Sequence, residues 1–177
     1  MESIFSENAL WNYSERIEGT VDTREYVAFY WNKMDGWFEE EEEVFGHARD
    51  PYKRVEVLRS SRHVEVVLNG VSVAETEMPM ILLETGLPRR FYLPRTNVRT
   101  EFLRPGSIST VCPYKGEASY FSLEVGDELH VDLAWYYQSP NDEVAKIKDY
   151  ICFPQGKVNL FVDGELEERP NTKWDKP

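Results

Sequence analysis

Between Arg62 and Val131, apolar and polar residues alternate in short runs that end on turn-forming residues. His63–Leu68 puts Val64 and Val66 on one face, Asn69-Gly70 follows, and Val71–Ala74 resumes the pattern. Asn-Gly between two such runs predicts a tight hairpin, because both central residues of that turn need positive φ. Met80–Leu83, Arg90–Leu93, Val98–Leu103, Ser109–Cys112, Ser119–Val125 and Leu129–Ala134 read as further strands. They are punctuated by Glu84-Thr85-Gly86, Pro94, Pro105-Gly106, Pro113–Gly116 and Gly126-Asp127. Strands this short and closely spaced point to a mainly β fold, a small antiparallel sandwich or barrel-like sheet. One short helix follows the sheet. Ser139 is its N-cap and Pro140 its first residue, Asp142 and Glu143 suit the positive end of the dipole, and Val144 and Ile147 share a face. The helix is expected to end near Asp149 or Tyr150, and Lys157–Val162 reads as a last strand.

The first sixty residues carry a different signal, an internal repeat. Shifted by 124 positions, Leu10–Glu41 lies over Ala134–Glu165 without a gap. Trp11 then falls on Trp135, Tyr13 on Tyr137, Tyr26 on Tyr150, Phe29 on Phe153, Lys33 on Lys157 and Glu41 on Glu165, while Trp37 falls on Phe161. The N-terminal part therefore reads as the second half of a degraded first unit, with strands expected at Tyr26–Phe29 and Met34–Phe38. The expected organisation is a half-repeat over 1–50, a linker over 51–61, a complete domain over 62–165 and a loose tail over 166–177. A lone half-unit cannot bury its own face. Packing on the complete domain, or a homodimer, would cover it.

Charge narrows the function classes. Twenty Lys and Arg against 32 Asp and Glu give a net charge of −12 over 177 residues. That balance repels a phosphate backbone and an anionic bilayer, so neither nucleic acid nor membrane is an expected partner. The run Glu39–Glu43 reads as a solvated segment. The N-terminus has no basic stretch followed by an apolar run, and no segment approaches the length of a spanning helix. With two cysteines only, Cys112 and Cys152, the expectation is a cytoplasmic protein with reduced thiols.

The chemistry concentrates in Cys112-Pro113-Tyr114-Lys115-Gly116, which offers a thiol, a phenol, an amine and a permissive glycine within five residues. Lys115 suits an anion or acid–base work, Cys112 suits a nucleophile if its pKa is lowered, and Gly116 lets backbone approach a ligand. The same residues also fit a tight turn with a core cysteine and a surface lysine. Glu84, ending an apolar strand before Thr85-Gly86-Leu87-Pro88, is a carboxylate facing a cleft or a solvated turn residue. Arg90, Arg95 and Arg99 form a third set, in which Arg95, Asn97 and Arg99 share one face if the chain there is extended, and the arginines would clamp an oxyanion or pair with local glutamates. Trp135, Tyr136 and Tyr137 form either a pocket wall or core. No Cys-x-x-Cys, His-x-x-x-His, Gly-x-Gly-x-x-Gly, Walker or Gly-x-Ser-x-Gly pattern occurs, and His47, His63 and His130 stand alone, so neither a metal site nor a cofactor is expected.

Leu82-Leu83-Glu84-Thr85-Gly86-Leu87-Pro88, Tyr92-Leu93-Pro94, Asn97-Val98-Arg99, Cys112–Tyr120 and Ala134-Trp135-Tyr136-Tyr137 together resemble the "domain of unknown function 427" family over Arg62–Glu165. The resemblance implies a β-tent-like fold. It also brings a nucleotidyltransferase label, which the residues support poorly, since Glu84 has no evident partner carboxylate. The family commonly has Asp where this chain has Asn97, which removes one candidate metal ligand or base. The resulting expectation is an uncharacterised small-molecule-binding domain. Its pocket for a polar or anionic ligand is formed by Glu84, Tyr92, Arg99, Cys112, Tyr114, Lys115, Gly116, Tyr120 and Trp135. The alternatives are a nucleotidyl or other group transferase, with Lys115, Cys112 or Glu84 catalytic, and a structural or interaction module without ligand.

Overall fold

The computed structural model describes residues 6–39 and 42–170. Glu41 of the repeat, residues 40–41 of the glutamate run and residues 171–177 of the tail lie outside that description. The chain forms two compact units, Met1–Ala48 and Arg49–Pro177.

The N-terminal unit contains two antiparallel pairs of two-residue strands. β1 (Leu10–Trp11) pairs with β2 (Ala28–Phe29), and β3 (Phe38–Glu39) pairs with β4 (Glu42–Glu43). Trp31–Lys33 between them is a 3-10 turn, and Trp37 Nε1 donates to Trp31 O at 2.9 Å while the two indoles stack. The strands expected at Tyr26–Phe29 and Met34–Phe38 are thus present only at Ala28–Phe29 and from Phe38 onward.

The C-terminal unit is mainly β, and its paired strands are antiparallel. Its strands are β5 (Val55–Arg59), β6 (Val64–Leu68), β7 (Val71–Thr76), β8 (Met80–Glu84), β9 (Arg90–Leu93), β10 (Leu103–Cys112), β11 (Gly116–Val125), β12 (Glu128–Tyr137), β13 (Ile151–Cys152), β14 (Asn159–Val162) and β15 (Glu165–Leu166). Seven of them form one sheet in the order β10-β11-β12-β13-β9-β8-β5, and four form another in the order β15-β14-β6-β7. The large sheet is open, ending at β10 and β5, so it is not a closed barrel. The Asn69-Gly70 hairpin forms as its chemistry requires, with φ of 51° and 77°.

Strand alternation divides the large sheet into two faces. Phe91, Leu93, Phe121, Ala134, Ile151 and Phe153 face one way and bury against Val64, Val66, Val73 and Leu160 of the smaller sheet. Val57, Leu82, Tyr92, Ala118, Tyr137 and Cys152 face the other way and bury against Val144 and Ile147. Those last two lie in the segment expected as a short helix, which is a kinked 3-10 helix, Asp142–Ile147. Its capping position falls on Asn141, not Ser139, and the Asn141 side chain is committed elsewhere.

Two further expectations are corrected. The stretch read as a linker, 51–61, contains β5, an edge strand registered with β8 through all five residues. Val98–Leu103 is not a strand: 3-10 turns at Arg95–Asn97 and Thr100–Phe102 curl it, so Arg95, Asn97 and Arg99 do not share one extended face. The next strand continues through Pro105-Gly106 with a break in register between Pro105 and Ser109, as suits a proline on β10, a sheet edge. Gly106 is obligatory there, since a Cβ would sit 2.4 Å from Tyr120 O.

Candidate functional site

The β10–β11 hairpin tip is Pro113-Tyr114-Lys115, closed by the Cys112–Gly116 pair and a bond from Lys115 N to Cys112 O at 3.2 Å. Gly116 has φ of +94°, and a Cβ there would lie 3.1 Å from Ser139 O and 3.3 Å from Asn141 Oδ1. Glycine is therefore needed for both backbone conformation and space. Asn141 clamps the tip. Its Nδ2 donates to Pro113 O at 2.9 Å and its backbone N to Lys115 O at 3.2 Å.

The clamped tip projects Lys115 toward the end of β8. Alternation along β8 puts Glu84 on the same face as Met80 and Leu82, so its carboxylate looks into the protein rather than out of the turn. Lys115 Nζ meets Glu84 Oε2 at 2.5 Å, and Lys53 Nζ meets Glu84 Oε1 at 2.8 Å. The Glu84 side chain is 5% exposed and that of Lys115 12%. Burial alone would raise the Glu84 pKa, but hydrogen bonds from Lys115 and Lys53 outweigh it and hold the carboxyl below its ordinary range. The bond to Glu84 in turn raises the Lys53 pKa. Lys53 Nζ also lies 5.0 Å from the centroid of the Tyr114 ring, and the Tyr114 hydroxyl accepts the Asp50 N–H at 2.6 Å. Two ammonium groups and one carboxylate leave this cluster locally positive in a chain of net charge −12.

The other expected site residues divide into three places. Tyr92, Trp135 and Tyr120 lie along one cross-strand row of the same sheet face, with Cys152 between the first two. Trp135 Nε1 donates to the Tyr92 hydroxyl at 3.1 Å, and Thr110 Oγ1 lies 2.9 Å from the Tyr120 hydroxyl. Burial pushes the Tyr92 and Tyr137 phenols up. Cys112, half-buried at the hairpin base, stays with Lys115 and Tyr114. Arg99 belongs elsewhere: its backbone N bonds Val73 O at 2.9 Å, and it lines an open cleft of ≈ 400 Å³ with Glu75 and the Arg95–Glu101 turn. Arg90 reaches Gln155 Oε1 at 3.1 Å, and Arg95 stacks over Phe121.

Two residues escaped sequence reasoning. Lys53 was hidden in the supposed linker, although the alternation of Val55 and Val57 after it is itself a strand signal. Asn141 was hidden behind Ser139-Pro140, the stronger capping pattern. Among the described residues, no three His, Cys, Asp or Glu side chains cluster so as to hold a metal ion. No described helix is long and apolar enough to cross a membrane.

The class defined so far is an antiparallel β domain whose hairpin tip sets a half-buried Lys–Glu–Lys cluster at the rim of a sheet. The chain belongs to the DUF427 family, a domain of unknown function also labelled NTP_transf_9, whose family model matches residues 56–164. Glu84, Cys112, Tyr114, Lys115 and Asn141 lie within the matched span, and Lys53 lies before it. No curated protein matches the chain.

Proposed function

We propose that the C-terminal unit binds a small anionic ligand at the Lys53–Glu84–Lys115 cluster. The observation that carries this reading is the cluster itself. Two lysines are held in place by one buried carboxylate, so their ammonium groups are preorganised and their charge is incompletely neutralised. Lys115 offers three N–H donors, of which Glu84 uses one in the structure. Tyr114 and Cys112 flank the donors at the hairpin tip. Tyr92, Trp135 and Tyr120 form a separate row on the same sheet face, and Arg99 lines another cleft. With two cysteines, too few for a disulfide framework, a reducing, cytoplasmic setting is the matching proposal.

A second reading has its own support, a structural lock that ties the hairpin tip to β8. Both Glu84 oxygens already have partners, and Asn141 fastens the same tip from the other side. A thermal-shift screen over sugar phosphates, nucleotides and amino-acid derivatives separates the two. Ligand binding at 100 times Kd stabilises by about 2.7 kcal/mol. The site reading requires one ligand class to raise the melting temperature of the wild type and to lose that effect in Lys53→Gln. A screen in which no anion shifts the melting temperature leaves only the lock.

A further inference from the structure

The N-terminal unit reproduces backbone contacts of the C-terminal unit pair by pair. Trp11 is registered with Ala28, and 124 positions further on Trp135 is registered with Cys152. Tyr26 N donates to Thr23 O at 3.0 Å, as Tyr150 N donates to Ile147 O at 3.0 Å. Lys33 N donates to Tyr30 O at 3.0 Å, as Lys157 N donates to Pro154 O at 2.9 Å. Beyond Lys33 the offset falls to 123. Phe38–Glu43 and Glu39–Glu42 then match Phe161–Leu166 and Val162–Glu165, and Val44 N to Trp37 O matches Glu167 N to Leu160 O. A one-residue deletion after Lys157 accounts for the change, and it brings Phe38 onto Phe161.

The matched residues differ in what covers them. Phe153 is 3% exposed and its counterpart Phe29 is 49%, and Ile151 is 0% against 51% for Val27. In the complete unit, β12 and β13 are flanked on their outer edges by β11 and β9, both antiparallel. β1 and β2 form a sheet of two strands, with no described strand on either outer edge. Tyr30 N donates to Ala9 O at 2.9 Å, which makes Ala9 and Tyr30 a hydrogen-bonded pair. By the alternation of antiparallel ladders, the Leu10 N–H and C=O then point outward.

We propose that the N-terminal unit is a second, partial copy of the domain and that its open β1 edge pairs with the β1 edge of a second copy of this chain. The missing partner must be antiparallel, and a two-fold axis supplies an antiparallel strand from an identical chain. Leu10 would face Leu10 across the axis and exchange two backbone hydrogen bonds. The β1 edge is favoured over β2 because its counterpart ladder, β11–β12, holds seven registered pairs, whereas β9–β13 holds two.

Light scattering on the eluting full chain, between about 1 and 100 µM, tests this, together with hydrogen exchange at Leu10. The expected result is a mass of twice 20.8 kDa at the upper concentrations and a Leu10 amide whose protection rises with concentration. Leu10→Pro removes an outward N–H without breaking the β1–β2 pair and should weaken the dimer at least tenfold. Val131→Lys, at an exposed position of β12, should leave it unchanged. A monomer throughout, a dimer indifferent to Leu10→Pro, or Leu10 protection independent of concentration would each overturn the proposal, the last because the edge would then be covered within one chain.

Discussion

Neutralising Glu84 by Glu84→Gln removes the one carboxylate that two lysines share. Lys53 is the more exposed of the two and can swing into water, whereas Lys115 is held by the clamped hairpin and stays half-buried. Breaking a buried pair from one side costs about 3–5 kcal/mol, because the remaining charge is left uncompensated. The partial escape of Lys53 puts the expectation near the lower end, about 3 kcal/mol. With a urea m-value of about 1.5 kcal/mol/M, the midpoint of the C-terminal unit should fall by about 2 M. The double variant Glu84→Leu/Lys115→Met removes both charges at similar volume, and should lie within about 1 kcal/mol of wild type. Urea unfolding followed on amide signals of residues 49–170 reads both values separately from the N-terminal unit. A loss below about 0.5 kcal/mol in Glu84→Gln, the scale of an ordinary surface substitution, would refute the reasoning.

Three other outcomes follow from the same geometry. Because the Glu84 pKa is depressed on folding, its contribution is complete above the ordinary carboxylate value of about 4.3 and is lost as pH falls through the lower folded value; the difference in stability between wild type and Glu84→Gln should therefore shrink in acid, and a pH-independent difference would contradict this. Gly116→Ala should destabilise by about 1–2 kcal/mol from the left-handed backbone alone, with more from crowding against Ser139 O, whereas a neutral result in thermal unfolding would show that the tip can relax. Asn141→Ala leaves Pro113 O without its side-chain donor and should cost about 1–3 kcal/mol, measured by the same unfolding assay.

Most of the sheet could be read in the sequence because its signals are local. Asn69-Gly70 dictates a hairpin from two residues, and the alternation in β6 follows from one buried face. The start of the short helix was misplaced because Ser139-Pro140 matches a capping pattern that holds for any helix, while the capping position falls on Asn141, whose side chain serves the hairpin tip. Lys115 and Glu84 stood out as residue types, but 31 positions separate them, and only the antiparallel order of the sheet brings them to 2.5 Å. Lys53 was invisible for the same reason, being placed by the pairing of β5 with β8. Arg99 lies apart from Lys115 because two 3-10 turns, where the sequence reads as extended, carry it to another cleft.

The central claim is that the Lys53–Glu84–Lys115 cluster binds an anion as well as holding the hairpin. Calorimetric titration of the anion that most raises the melting temperature, into wild type and into Glu84→Leu/Lys115→Met, tests it most directly. One-to-one binding to wild type is expected, with affinity at least tenfold weaker in the double variant and its folding stability retained. Equal affinity in the two proteins would contradict it.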